Sequence, residues 1–286
     1  MPEPAGGVFD REWKAFSVTR DKNPEVAVVQ LLGPGRGNMM GQDFWAGLPQ
    51  IFAALDADTS VRAVVLAGQG KHFSTGLDVQ GVLGPWLAGI GGGPTSTAAD
   101  RSGFLALVST LQASITSVAV CRKPVIAAVS GWCIGGGVDL ISAADVRVAS
   151  QDAKFSIREA RLAIVADVGS LQRLRGIIGE GHLRELALTA KDFDAAHAEK
   201  IGLVNEVLGT PEEALAAAIQ MAGEIAANSP LAVAGTKAVL NEDREEHIAR
   251  GLRHVALWNS SFIHSEDLLE AVQAMGEGRS ARFTGH

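Results

Sequence analysis

A chain of 286 residues, 47% hydrophobic and 20% charged with 33 glycines, has the make-up of an ordinary globular protein and excludes the disordered, collagen-like and disulfide-rich classes. A net charge of −7 repels phosphate unless a local basic patch outweighs it, and the sequence carries no such patch, so nucleic acid is not an expected partner. The two cysteines, Cys121 and Cys133, make neither a CxxC pair nor a disulfide framework. No apolar run reaches the roughly 18 residues of a membrane helix, residues 1–10 lack a leader-like pattern, and Thr284-Gly285-His286 is not a peroxisomal tripeptide. A soluble cytoplasmic protein without membrane contact is expected.

In chain order, residues 26–32 and 61–67 are β-branched apolar runs closed by glycine, the pattern of buried strands. Between them Phe44, Leu48, Ile51, Phe52 and Leu55 recur at helical spacing, which predicts an amphipathic helix over the sheet. The glycine-rich stretch 88–94 predicts a loop, 99–120 a long helix and 124–130 a third strand. Gly135-Gly136-Gly137 opens a helix to residue 143, followed by a strand at 146–149, an extended piece at 154–157 and a helix from about Val168. From Thr210 only helices are expected. The first begins with the capping box Thr210-Pro211-Glu212-Glu213, and others start near Ser229, Asp243 and Ser265. Apolar residues are plentiful in this tail (Val239, Leu240, Leu257 and Trp258 among them), as in a surface that packs on a core or a second subunit. Two regions are therefore expected, a catalytic core over 1–209 and a helical oligomerisation region over 210–286.

Three motifs imitate other chemistries. Gly33-Pro34-Gly35-Arg36-Gly37 follows a strand as a dinucleotide loop would, but Asn38 stands where the third glycine belongs and no carboxylate ends the next strand. Gly70-Lys71-His72 lacks the earlier glycine and the following hydroxyl of a phosphate loop. Gly131-Trp132-Cys133-Ile134-Gly135 sits where an α/β hydrolase carries its nucleophile. An activated thiol needs a histidine within reach, however, and a buried, inert Cys133 is the simpler reading. No HExxH or Cys/His cluster points to a metal.

Two strand-end loops remain, His72-Phe73-Ser74-Thr75-Gly76-Leu77-Asp78 and the segment 131–139. Glycine-bearing loops of this kind can make tight turns and nothing more, or they can present backbone N–H groups to an anionic oxygen, the second with a helix dipole behind it. With Gly37-Asn38-Met39-Met40, Phe44-Trp45, Lys123-Pro124-Val125-Ile126-Ala127-Ala128-Val129, Ala144-Asp145-Val146-Arg147 and Leu171-Gln172-Arg173-Leu174, they resemble the enoyl-CoA hydratase/isomerase (crotonase) family from about Phe16 to Met275. That resemblance implies an α/β fold, a crotonase-like spiral of repeated ββα units with a C-terminal helical region, assembled as a homotrimer or homohexamer. It also implies an acyl-CoA thioester substrate, with no cofactor beyond the coenzyme A of the substrate itself, and an oxyanion hole from the amides of Leu77 and Gly136.

Three carboxylates carry the finer reading. Asp139 lies one helical turn from Gly136, and Glu159 follows Phe155-Ser156-Ile157-Arg158; these resemble the two positions that hold water in hydratases. Asp167, in Ala166-Asp167-Val168-Gly169-Ser170, together with Leu257-Trp258-Asn259, resembles the dienoyl-CoA isomerase branch. Simpler roles exist for each: Asp139 as a helix first-turn acid, Glu159 paired with Arg158 or Arg161, Asp167 as an N-cap. By resemblance, Asp167 is the C2 base, Glu159 the C6 acid and Asp139 their tuner, in a 3,5- to 2,4-dienoyl-CoA isomerase of fatty-acid β-oxidation. Arg36, Lys71, Ser74, Thr75, Gly76 and Asp78 are the expected substrate (CoA) contacts. The alternatives are a 2-enoyl-CoA hydratase using Asp139 and Glu159, and a catalytically silent crotonase-like binding protein, possibly for RNA.

Overall fold

The computed structural model describes residues 7–83 and 97–286. The expected loop at 88–94 and the side chain of Arg36 lie outside what is described. Strands β1 (Phe16–Arg20) and β2 (Val26–Leu31) form an antiparallel pair, and helix α1 (Gln42–Ala57) leads into β3 (Ala63–Gly68), parallel to β2. A π-helical turn, Val79–Leu83, follows. Next come α2 (Ala98–Val120), β4 (Val125–Val129), β5 (Trp132–Ile134), α3 (Gly136–Ala143), β6 (Val146–Ser150) and β7 (Lys154–Ser156). A 3-10 turn at Glu159–Leu162 precedes α4 (Ser170–Arg173), α5 (Glu180–Thr189), β8 (Phe193–Asp194), α6 (Ala195–Lys200) and β9 (Glu206–Leu208). The chain closes with α7 (Pro211–Ala226), α8 (Pro230–Phe262) and α9 (Glu266–Glu277).

Six strands make the main sheet in the order β1-β2-β3-β4-β6-β9, and β5-β7-β8 make a smaller one. Every crossover strand of the main sheet is parallel to its neighbours, and both faces are covered, so β2, β3 and β4 are apolar at consecutive positions. One face (Val29, Leu31, Val64, Leu66, Ala127, Val129) packs into the large core with α1, α2 and α3. The other (Val28, Val65, Ile126, Val148) meets Ala218, Ala222 and Ala226 of α7, whose small side chains at every fourth position let the helix lie close to the sheet.

After each main strand the chain turns into a short extended piece that pairs with the next turn's counterpart. Met40 bridges Leu77, Ser74 bridges Cys133, and β5 pairs with β7. This is the spiral of ββα units that the resemblance implies, with helices following at the C-terminus. It stacks the loops after β2, β3 and β4 on one another.

Two expectations change, and one helix is notable for its composition. Residues 230–262 form one unbroken helix with no start at Asp243. The edge strand β1 and the short strands β8 and β9 are additional. Helix α2 is long and apolar enough, by length and composition, to cross a membrane, with a hydropathy of 1.6; here Phe104, Val108, Leu111, Ile115 and Val118 are packed inside the protein.

Candidate active site

Asn38 organises the first loop. Its backbone is left-handed (φ 48), and its buried amide donates to the carbonyls of Gln69 at 2.9 Å and His72 at 2.7 Å. Ser74 Oγ donates to Asn38 O at 2.8 Å and accepts from Gly76 N at 3.1 Å. Thr75 Oγ1 donates to Gly37 O, and Asp78 Oδ1 accepts from Gly81 N. These contacts hold 74–78 extended between two neighbours.

On one side Met40 N donates to Gly76 O and Asp78 N donates to Met40 O, so the intervening Leu77 N–H turns the other way. On that other side Ser74 pairs with Cys133, and the chain runs on into Gly135-Gly136. A Cβ placed on Gly136 would lie 3.7 Å from Leu77 N, and one on Gly76 would lie 3.3 Å from Gly136 N. Both amides thus border one small space. Gly136 begins α3, so its N–H has no intrahelical acceptor and gains the helix dipole.

This space opens into a cavity of about 670 Å³ whose walls include Leu77, Gly136, Asp139, Glu159 and Asp167. Phe104, Leu107, Val108 and Leu111 from α2, with Leu162, Ile164 and Met275, make the remainder largely apolar. Thr75, Gly76 and Asp78 line it as well. Two of the expected contacts do not line it. Ser74 is fully buried and spends its hydroxyl on the loop, and Lys71 is exposed outside the cavity wall. Arg158, which the sequence reading offered only as an ion-pair partner, and Trp132 do line it; the guanidinium lies 5.4 Å from the centroid of that indole. A larger cavity, about 880 Å³ beneath α8, contains none of the expected site residues.

The simpler roles for two of the acids do not hold. Arg158 and Arg161 pair with Asp192, leaving Glu159 Oε2 buried without a partner. Gly169, not Asp167, occupies the N-cap of α4, and Asp167 Oδ2 accepts from Asn259 Nδ2 at 2.7 Å. Asp139 does sit in the first turn of α3, but its Oδ1 accepts from Ser170 N at 2.5 Å.

Burial raises all three acids, and their partners separate them. Asp139 is pushed up to about 6, opposed by the Ser170 hydrogen bonds and the buried Arg173 guanidinium. Asp167 rises to about 7 against the Asn259 hydrogen bond, with the Asp139 charge adding to the rise. Glu159, half-buried as a residue, rises furthest, to about 8, through desolvation and the Asp139 charge. Three carboxyls whose hold on their protons burial strengthens to different degrees thus face one largely apolar space beside the Leu77 and Gly136 amides, an arrangement chemically suited to proton transfer next to an anionic oxygen.

Cys133 is 0% exposed, and burial pushes its thiol well above the usual range, which removes the nucleophile reading. Among the described residues, no group of three or more His, Cys, Asp or Glu is placed to hold a metal ion.

Comparison with known proteins then fixes the lineage. The family described as Enoyl-CoA hydratase/isomerase matches residues 21–286. The chain belongs to that family of enzymes. It is 42% identical over 273 residues to a Delta(3,5)-Delta(2,4)-dienoyl-CoA isomerase, peroxisomal, of Arabidopsis thaliana, covering 95% of this chain and 97% of the relative. To a mitochondrial protein of the same name from Dictyostelium discoideum it is 39% identical, over 95% of this chain and 92% of that one. The crystal structure of an enoyl-CoA hydratase/isomerase from Mycobacterium paratuberculosis shares the fold with a TM-score of 0.78 at 26% identity, covering 91% of this chain and 98% of that one.

The sequence reading missed the groups that hold the acids. Asn259 entered only as part of a resemblance, and Gln112, whose Nε2 donates to Asp167 O at 2.6 Å, did not enter at all. Their one signal is a lone amide among the apolar positions of a helix.

Proposed function

We propose that this enzyme converts a 3,5-dienoyl-CoA to the 2,4-dienoyl-CoA in fatty-acid β-oxidation. Asp167 takes a proton from C2. The electron pair moves into a C2–C3 double bond, the C3–C4 pair shifts to C4–C5, and the C5–C6 pair forms the new C–H bond at C6 with the proton that Glu159 delivers. The thioester oxygen carries the transient negative charge toward the Leu77 and Gly136 amides, and Asp139 tunes the other two acids.

The observation that carries this reading is Asp167 itself, a third carboxylate in the cavity with a donor of its own. Two proton-transfer sites on the acyl chain need two acids at different depths, whereas hydration needs acids that share one water. The relatives named as dienoyl-CoA isomerases support it. A 2-enoyl-CoA hydratase working through Asp139 and Glu159 is the alternative, and the commitment of Asp139 Oδ1 to Ser170 weighs against it. A non-catalytic, RNA-binding role has no support in a cavity walled by three acids. Arg158 is the cavity cation nearest these acids in sequence and is suited to the anionic coenzyme A.

Incubating the purified protein separately with a 3,5-dienoyl-CoA and a 2-enoyl-CoA and identifying the products tests the proposal. Accumulation of the 2,4-diene with little 3-hydroxyacyl-CoA is expected. Efficient hydration without diene migration would reverse the assignment.

A further inference from the structure

We propose that Asn259 is a positioning residue for the reaction, aiming the Asp167 carboxylate into the cavity and holding its charge. The inference rests on the isomerase reading and on the base role it gives Asp167.

Asn259 is 2% exposed on the inner face of α8, in line with Leu252, Val255, Ala256 and Ile263. Its Oδ1 accepts from Val165 N at 3.3 Å, and its Nδ2 donates to Val165 O at 2.8 Å and to Asp167 Oδ2 at 2.7 Å. The amide cannot be turned over. A flip would set Oδ1 against the Val165 carbonyl and Nδ2 against the Val165 N–H, losing both contacts to that residue. Its second N–H is therefore locked onto Asp167.

The backbone at Asp167 is secured by another group. Gln112 Nε2 donates to Asp167 O at 2.6 Å and to Leu252 O at 3.0 Å, tying the loop to α2 and α8. What Asn259 supplies is the side-chain donor to the carboxylate, beside the weaker influence of the Asp167 backbone N–H; among the described residues no other side chain donates to it. Oδ2 is thereby occupied and its direction fixed.

The acids around it oppose ionisation. Asp139 from α3 and Glu159 from the 3-10 turn both face the same cavity. Of the cations, Arg158 lines that cavity and pairs with Asp192, and Arg173 of α4 donates to Val168 O and Thr116 Oγ1 while its charge acts on Asp139. Burial in the same apolar space adds to this, and the Asn259 hydrogen bond is the main influence in the other direction. A base must be ionised before it accepts a proton, so this neutral amide from the C-terminal helix region sets the lowest pH at which the enzyme works.

The test is the pH dependence of kcat/KM for 3,5-dienoyl-CoA isomerisation in the wild type, Asn259→Ala, Asn259→Asp and Asp167→Asn, with thermal melting as the folding control. Loss of the donor should move the acidic limb of Asn259→Ala upward by roughly one pH unit, a deficit of about tenfold below the limb that narrows as pH rises. Asn259→Asp keeps the size and the acceptor for Val165 N, and should shift the limb at least as far. It carries the test if the alanine variant does not fold. A uniform loss at every pH, with the limb unmoved, would make Asn259 a brace for the Val165 loop and overturn the proposal, as would an unchanged profile. If Asp167→Asn isomerises at the wild-type rate, the base assignment itself fails. If that variant is dead while the Asn259 variants leave the limb in place, only the present inference fails.

Discussion

At the scale of single residues, Glu159 combines two properties that are seldom independent. Its carboxyl rises from 4.5 to about 8 because it is buried beside Asp139 and Asp167 with Oε2 unpartnered. A group that binds its proton more tightly folded than unfolded stabilises the fold least when the proton is gone, so stability declines as pH rises from about 4.5 through about 8. Glu159→Gln removes that charge without changing the size. Its melting temperature should exceed the wild type's by a few degrees at pH 9 and converge with it toward pH 4, while isomerase activity falls roughly 10²- to 10⁴-fold. A pH-independent difference, or a less stable variant at pH 9, would mean that Glu159 is not held protonated by its surroundings. The three acids themselves were legible, because each follows a strand end within a few residues of a glycine-bearing or extended motif. What sets their charge was not. Asn259 lies 92 positions from Asp167, Ser170 lies 31 from Asp139, and no local pattern links either pair.

At the scale of elements, the same limit reappears as a division between strong periodic signals and weak ones. The apolar runs of β2, β3 and β4, the spaced apolar face of α1 and the Thr210 capping box specify themselves within a few residues. Strand β1 reads Phe-Ser-Val-Thr-Arg, an alternation typical of a half-covered edge, and is easily passed over beside its fully apolar neighbours. Asp243 mimics an N-cap, yet neither glycine nor proline interrupts the chain there, and helix continues through it. The junction of two elements also yields a test. Gly76 has φ +87, and a Cβ there would stand 2.7 Å from Ile134 O, so Gly76→Ala has to spread the β3 and β4 loops that bring the Leu77 and Gly136 amides together. A drop in kcat of roughly 10²-fold is expected, the size typical of losing one oxyanion donor, with a smaller change in KM. A folded variant within twofold of wild-type kcat would remove these amides from the mechanism.

At the scale of the molecule, α8 is amphipathic in an unusual sense. Its inner face holds Asn259, while Leu240, Leu257, Trp258 and Phe262 stay more than half or about half exposed on the outside, and Trp258 and Phe262 lie 4.8 Å apart. Exposed apolar area gathered on one helix is costly in water, and we propose that further copies of the chain cover it in a trimer or hexamer. Light scattering at micromolar concentration should return a trimeric or hexameric mass, and Trp258→Glu should lower it. A wild-type monomer would end this reading. The chain has five tryptophans and no tyrosine, so its near-ultraviolet emission comes from indole alone. Trp45 and Trp132 line the cavity, and Trp258 stands on the outer face of α8. Ligand occupancy and the proposed subunit contact therefore fall on separate fluorophores, and replacing Trp13, Trp86 and Trp258 with phenylalanine would leave Trp45 and Trp132 as an intrinsic optical reporter for the cavity that needs no dye.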